Sequence, residues 1–214
     1  MTVLAGFRTK VLTILGQTIT KYSNDVLDEA LRETLGEFSR YVPNMKRAEI
    51  TLAAAGRQVD LSALAGLIYL IQLAYPFTTG EETPTIHESY YLYHTDGSPM
   101  IEICGDRVPA SGEKLRVVYG AEHTIEDLDT ATTTTLRTRD EGIVARGAAA
   151  KAAIQRSNTL AEAYGNRSTE YEKIKGWAER MHYQYLSELE RLKDIEQGIP
   201  MVMNDSRWKL DSWD

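Results

Sequence analysis

The side chains that could do chemistry in this chain are four histidines and one cysteine, and their spacing limits what they could do. The histidines lie far apart, so no two have the helical spacing of a metal-binding motif. Cys104 is alone, which excludes an intramolecular disulfide and a multi-cysteine metal site. It follows a strand-like apolar segment, which predicts a buried, unreactive thiol. Serine-nucleophile, phosphate-loop and CxxC motifs are absent from the sequence. We therefore predict no catalytic centre, no metal and no cofactor.

His123 is the histidine whose neighbours are most suggestive. A small hydrolase could use it as a general base with Glu122 or Asp127, but a base needs both an orienting partner and a nucleophile. Neither is evident in the sequence, so we favour a structural hydrogen bond for His123. Asp127 and Asp129 could also be drawn as a cation site. Such loops carry more alternating carboxylates and a turning glycine, so we favour a solvated linker.

Charge and hydropathy exclude two further classes of function. The chain has 214 residues and a net charge of −7, with the acidic excess spread over both halves. No basic stripe is present to neutralise phosphates, which disfavours tight nucleic-acid binding. The longest apolar stretch, Leu64 to Pro76, is too short to cross a bilayer, and we expect no secretory signal.

Helical periodicity marks both ends of the chain. Apolar residues recur every three or four positions from Val3 to Leu15, and Gly16 closes this helix. Ser23 or Asn24 caps a second helix, which ends before Pro43. Two long helices are predicted at 140–164 and 169–197, the first with a patch of small residues at 147–153. The second has a regular apolar seam: Ile174, Ala178, Met181, Tyr185, Leu189, Leu192 and Ile195.

Between these helical parts the periodicity is that of strands. Alternation begins near Arg47, and we expect five or six mostly antiparallel strands up to Gly120. The dipeptide Asp96-Gly97 predicts a tight hairpin. The apolar run from Leu67 to Tyr75 predicts a strand buried on both faces.

These patterns predict an α+β fold in which a small β-domain is inserted into a helical bundle. We place the N-terminal helical part at 1–46, the β-domain at 47–120, a Thr-rich linker at 121–138, the C-terminal helical part at 139–197 and an extended tail at 198–214. The tail has apolar side chains without a helical or strand period, which favours a partner-binding segment over the alternative of a tail that folds back on its own bundle. Its candidate contact residues are Met201, Val202, Met203, Arg207, Trp208, Lys209, Leu210 and Trp213.

Several segments together resemble the head–tail connector proteins of tailed bacteriophages. They are the run FRTKVLTILG from Phe7 to Gly16 and the run SNDVLDEALRETLGEFSRYVP from Ser23 to Pro43. The order of the later segments is similar too. Tyr75-Pro76 ends a strand, LRVVY from Leu115 to Tyr119 is followed by His123, and a Thr-rich segment precedes the alanine-rich RGAAAKAA from Arg146 to Ala153.

The resemblance implies a non-enzymatic virion protein, made in the host cytoplasm and located at the head–tail interface. It implies a homo-oligomeric ring, twelvefold in the family, that contacts the portal protein and a downstream neck or tail protein. DNA would pass through the ring without sequence-specific binding. The tail residues named above would contact the portal or a neighbouring subunit. The alternatives are a tail-tube, baseplate or other neck component, and the His123 hydrolase.

Overall fold

A computed structural model describes residues 2–16, 21–80, 89–104, 106–164 and 169–198. It has four helices and two small antiparallel sheets over these residues, which confirms the α+β class. The chain divides into two compact units: a helical unit, Met1–Val42 with His123–Asp214, and a β unit, Pro43–Glu122. Each unit has its own apolar core.

The helical unit contains α1 (Leu4–Leu15), α2 (Asn24–Tyr41), α3 (Glu141–Tyr164) and α4 (Thr169–Gly198). The predicted caps of the first two helices are confirmed. Gly16 ends α1 with a left-handed φ of 59°, and the Ser23 side chain accepts a hydrogen bond from the Val26 amide at 3.4 Å. Arg8 on α1 makes a two-bond ion pair with Asp28 on α2, at 2.8 and 2.6 Å, which sets these two helices side by side.

The centre of the helical unit is α3, on which the other three helices pack. Its small-residue patch makes this close packing possible, as the sequence indicated. The alanines at 148, 149, 150, 152 and 153 are buried. A Cβ atom placed on Gly147 would lie 2.6 Å from Thr34 Cγ2 on α2 and 2.8 Å from Tyr185 Cε2 on α4. Glycine at this position therefore lets α2 and α4 approach the α3 backbone.

The segment before α3 is not the solvated linker that its composition suggested. Ile125, Leu128 and Leu136 are buried in the helical core. The Thr134 hydroxyl donates to the Thr2 carbonyl at 2.8 Å, and the Leu4 amide donates to the Glu126 carbonyl at 3.0 Å. Threonine hydroxyls serve here as partners for buried backbone groups, so this expectation was wrong.

The β unit has six strands: β1 (Asn44–Thr51), β2 (Gln58–Asp60), β3 (Leu67–Ala74), β4 (Tyr90–Thr95), β5 (Ser98–Ile103) and β6 (Lys114–Ala121). They form two three-stranded sheets, β1-β6-β3 and β2-β5-β4, in which every pair is antiparallel. The predicted hairpin joins β4 to β5, with φ of 52° at Asp96 and 81° at Gly97. Side chains from both sheets form the unit's core, among them Leu73, Ile101, Ile103, Leu115 and Val117.

Two expectations for the β unit were wrong. The strand β3 lies at an edge of its sheet, and Tyr69 on it is 37% exposed, so it is not buried on both faces. A continuous apolar run could not reveal this because strand order depends on distant pairings. Cys104 lies just beyond β5 and is exposed rather than buried.

Candidate interaction sites

His123 lies where the chain enters the helical unit for the second time, and both of its ring nitrogens have partners. Nε2 lies 3.0 Å from the Val42 carbonyl and therefore carries the donated hydrogen. The Thr135 hydroxyl donates to Nδ1 at 3.1 Å and accepts a hydrogen bond from the Thr124 amide at 2.8 Å. The ring meets Phe38 edge-on at 5.5 Å between centroids. This is the structural hydrogen-bonding role that the sequence analysis favoured.

The surroundings of His123 keep the imidazole neutral. Burial is the main reason that its pKa is lowered from the ordinary 6.5, and Arg137 lowers the pKa further. Backbone hydrogen bonds with Val42 and Thr135 and the charge of Asp140 raise the pKa without overcoming the effect of burial. Through its neutral ring, His123 therefore forms a hydrogen bond with Val42, the last residue of the first helical segment.

We expect stability to fall with acid because of His123. Above pH 6.5 the ring is neutral in both folded and unfolded chains; below it, the unfolded chain binds a proton that the folded chain binds only at lower pH. The free energy of unfolding should therefore decrease as the pH falls from about 6.5 towards the lower folded-state pKa.

Urea unfolding followed by circular dichroism at several pH values measures this decrease. His123→Gln should flatten the profile in that window and, by disturbing the two ring contacts, lower stability at pH 7 by about 1–2 kcal/mol. His94→Gln is the control, because His94 is exposed on β4. An unchanged pH profile in His123→Gln would contradict the prediction.

Asp129, one of the carboxylates considered for a cation site, has a structural partner, and so has Glu141 at the start of α3. Both carboxylate oxygens of Asp129 accept from the Nε–H of Arg32, at 2.7 and 2.8 Å, and the Asp129 backbone has a φ of 50°. Glu141 is buried and bonds to Lys10 and to the Thr2 hydroxyl. Burial raises the pKa of Glu141, but these hydrogen bonds outweigh it, so the net pKa is lowered. Over the described part of the chain, no group of three or more potential ligands is placed to hold a metal ion.

A groove of about 460 Å³ opens on the helical unit between α1, α3 and the first turns of α4. Its apolar lining comes from Leu15, Tyr22, Ala153, Ile174 and Trp177. We call this the α1–α3–α4 groove. A second depression of about 370 Å³ shares Tyr22 with it and continues along α3. An apolar cleft of this size is large enough to receive an aromatic side chain.

Charged residues also line the α1–α3–α4 groove. Lys21, Arg156 and Lys173 are cationic, whereas Glu170 is the single anion among the lining residues. Arg156 donates to the Lys21 carbonyl at 2.9 Å, lies 3.5 Å from Glu170 and lies 5.5 Å from the centre of the Tyr22 ring. Burial raises the pKa of Tyr22, while Arg156 opposes that rise. The groove is therefore apolar inside and positive at its edge, in a chain that is negative overall.

Sequence reasoning did not single out this groove. One signal in the sequence could have indicated it. Trp177 lies next to Ile174 and Ala178 in the first turns of α4 and makes the apolar face of the helix broader there than the seam alone. Two stretches distant from α4 in sequence, 15–22 and 153–156, supply the remainder of the lining, so local periodicity could not place them together. The seam itself is confirmed at Ala178, Tyr185 and Leu189, which are buried, but Ile195 is 48% exposed.

The predicted partner-binding residues of the tail, Met201 to Trp213, lie outside the described residues, as does most of the loop following Phe77. None of the helices in the described part of the chain is both long and apolar enough to cross a bilayer.

Comparison with solved structures gives a weak likeness. No protein-family model and no curated protein matches this chain. Among solved structures, a chain of the neck of an empty GTA particle, computed with C6 symmetry, is similar with a TM-score of 0.31 and 18% identity. The match covers 68% of this chain and 74% of that chain. A similarity of this size carries no residue role across.

Proposed function

We propose that this chain is a structural virion protein of a phage-like neck, the head–tail adaptor. It assembles as a ring, twelvefold as in the family that its sequence resembles, between the portal protein and a downstream neck or tail protein. DNA passes through the ring without sequence-specific contacts. The protein needs no cofactor and catalyses no reaction.

One observation supports this proposal above others: three sequence segments that resemble connector proteins belong to one packed core. The runs 7–16, 23–43 and 146–153 supply α1, α2 and the centre of α3, which pack together in the helical unit. The resembling residues thus include core positions such as Phe7, Phe38 and Ala149. Residues distributed over a shared core favour a common architecture more than a short surface motif would.

One physical feature agrees with a DNA conduit, and a second disfavours the hydrolase alternative. The net charge of −7 is unfavourable for holding phosphates, so DNA can slide past. His123, the residue that the hydrolase alternative requires, is buried with both nitrogens engaged.

The proposal is tested by mixing the protein with the portal protein of the same particle and imaging the complex by electron microscopy. We expect the full chain to form a ring on the portal. A chain truncated after Gln197 should remain folded but fail to join it, because the tail carries the contact residues. Ile195→Ala, which removes an exposed apolar side chain just before the tail, is the control and should join normally.

The possible outcomes separate the alternatives. Assembly of the truncated chain would show that the tail is not the docking element, while leaving the adaptor assignment intact. Binding of the full chain to tail-tube protein but not to the portal would favour the tail-tube or baseplate alternative. Binding to neither would overturn the proposed function.

A further inference from the structure

The α1–α3–α4 groove has the chemistry of a receptor for an acidic segment that carries a large apolar side chain. Its apolar lining includes Ile174 and Trp177, and its cations Lys21, Arg156 and Lys173 outnumber the single anion Glu170. Arg156 is already held by the Lys21 carbonyl and Glu170. The exposed lysines thus give the groove's edge an attraction for carboxylates.

The tail contains two tryptophans, and their flanking charges are opposite. Trp208 stands between Arg207 and Lys209, whereas Trp213 is preceded two residues earlier by Asp211 and followed by Asp214. A positive groove repels the first arrangement and attracts the second. An indole buries about 150–250 Å² on binding, which suits an apolar cleft of about 460 Å³. Charge complementarity therefore favours Leu210–Asp214 as the segment that binds in the groove.

The charged path back along α4 favours a neighbouring copy as the source of that segment. The groove lies at the first turns of α4, and the tail leaves from Gly198, 21 residues beyond Trp177. At 1.5 Å per residue this separation is about 32 Å. In its own copy the tail would run back along α4 past exposed charged residues, including Arg191, Lys193 and Asp194. These offer little apolar area to offset the ordering entropy of the chain.

We propose that the segment Leu210–Asp214 binds in the α1–α3–α4 groove of a neighbouring copy. Trp213 enters the apolar part, and Asp211 and Asp214 face the cationic edge. Each copy gives one tail segment and receives another, which is a head-to-tail contact that can close into a ring. The inference rests on the proposed function, since it names the contact between subunits of that ring. It leaves Arg207, Trp208 and Lys209 for a partner with acidic groups.

Sedimentation velocity of the full chain tests the contact. Trp213→Ala should weaken self-association at least 10-fold, whereas the matched variant Trp208→Ala should leave it unchanged. Lys173→Glu and Asp214→Lys should each weaken self-association, and the chain with both changes should recover it. Equal effects of the two tryptophan variants, no recovery in the double variant, or a full chain that stays monomeric would each overturn the inference.

Cysteine cross-linking distinguishes a neighbouring copy from the same copy. In a Cys104→Ser background, Gln155→Cys places a thiol on the adjoining depression, and Ser212→Cys places one beside Trp213. Oxidation should give a ladder of covalent multimers, and Ser206→Cys in place of Ser212→Cys should give none. A cross-linked monomer, or no cross-link, would overturn the inference. If Trp213→Ala still forms rings on the portal, the adaptor function stands and this contact is wrong.

Discussion

Replacing Tyr185 by alanine should lower the free energy of unfolding of the helical unit by about 3–5 kcal/mol, the range for loss of a large buried aromatic side chain. Tyr185 is fully buried and packs against the α3 backbone at Gly147. Its hydroxyl donates to the Thr34 carbonyl at 3.2 Å, and burial is the main cause of its raised pKa. Removing the ring would leave a cavity where α2, α3 and α4 meet.

The control for this prediction is Tyr185→Phe. It keeps the ring and removes only the hydrogen bond to Thr34, so the expected loss is about 0.5–1.5 kcal/mol. Urea unfolding followed by circular dichroism measures both variants. Equal losses in the two variants would mean that packing of the ring is not what stabilises this junction.

Replacing Gly147 by alanine should also destabilise the helical unit, although alanine is the better helix former by about 1 kcal/mol. The added methyl group would crowd Thr34 Cγ2 and the Tyr185 ring, at 2.6 and 2.8 Å. Overpacking of this kind costs about 1–3 kcal/mol. We expect the crowding to exceed the propensity gain, with a net loss of up to about 2 kcal/mol.

The substitution Gly176→Ala should instead raise the free energy of unfolding of the helical unit. Gly176 lies in α4, and a Cβ atom placed there meets no neighbouring atom within 4 Å. Only the helix propensity changes, so this variant should gain about 0.5–1 kcal/mol. The two glycine-to-alanine variants should therefore change the free energy of unfolding in opposite directions when both are measured by urea unfolding. A gain in stability for Gly147→Ala would show that α2 and α4 can move apart at little cost.

Local signals in the sequence were sufficient to predict those structural elements whose ends depend on neighbouring residues. Gly16 and Ser23 mark helix ends through their own backbone or side-chain groups, and Asp96-Gly97 sets the hairpin through positive φ angles. The small-residue patch likewise indicated close packing. In each case the cause acts within a few residues, so that a single sequence reveals it.

Features set by distant partners were not predictable in this way. Thr134 appears in a polar run, yet its hydroxyl bonds to Thr2, 132 residues away. The edge position of β3 depends on its pairing with β6, and the groove combines Leu15 with Arg156 and Trp177. Composition and periodicity carry no information about which remote segments meet.

The interrupted order of the helical unit has a consequence for synthesis on the ribosome. About 100 residues separate the end of α2 from the start of α3, and translation adds about 5–20 residues per second. For roughly 5–20 s, therefore, Phe7 and Phe38 have emerged without the helix that covers them. The β unit is continuous in sequence from Pro43 to Glu122, so it can complete its core during that interval. Of the two units, the inserted one is then the first able to fold, and the helical segments on either side of it meet only afterwards.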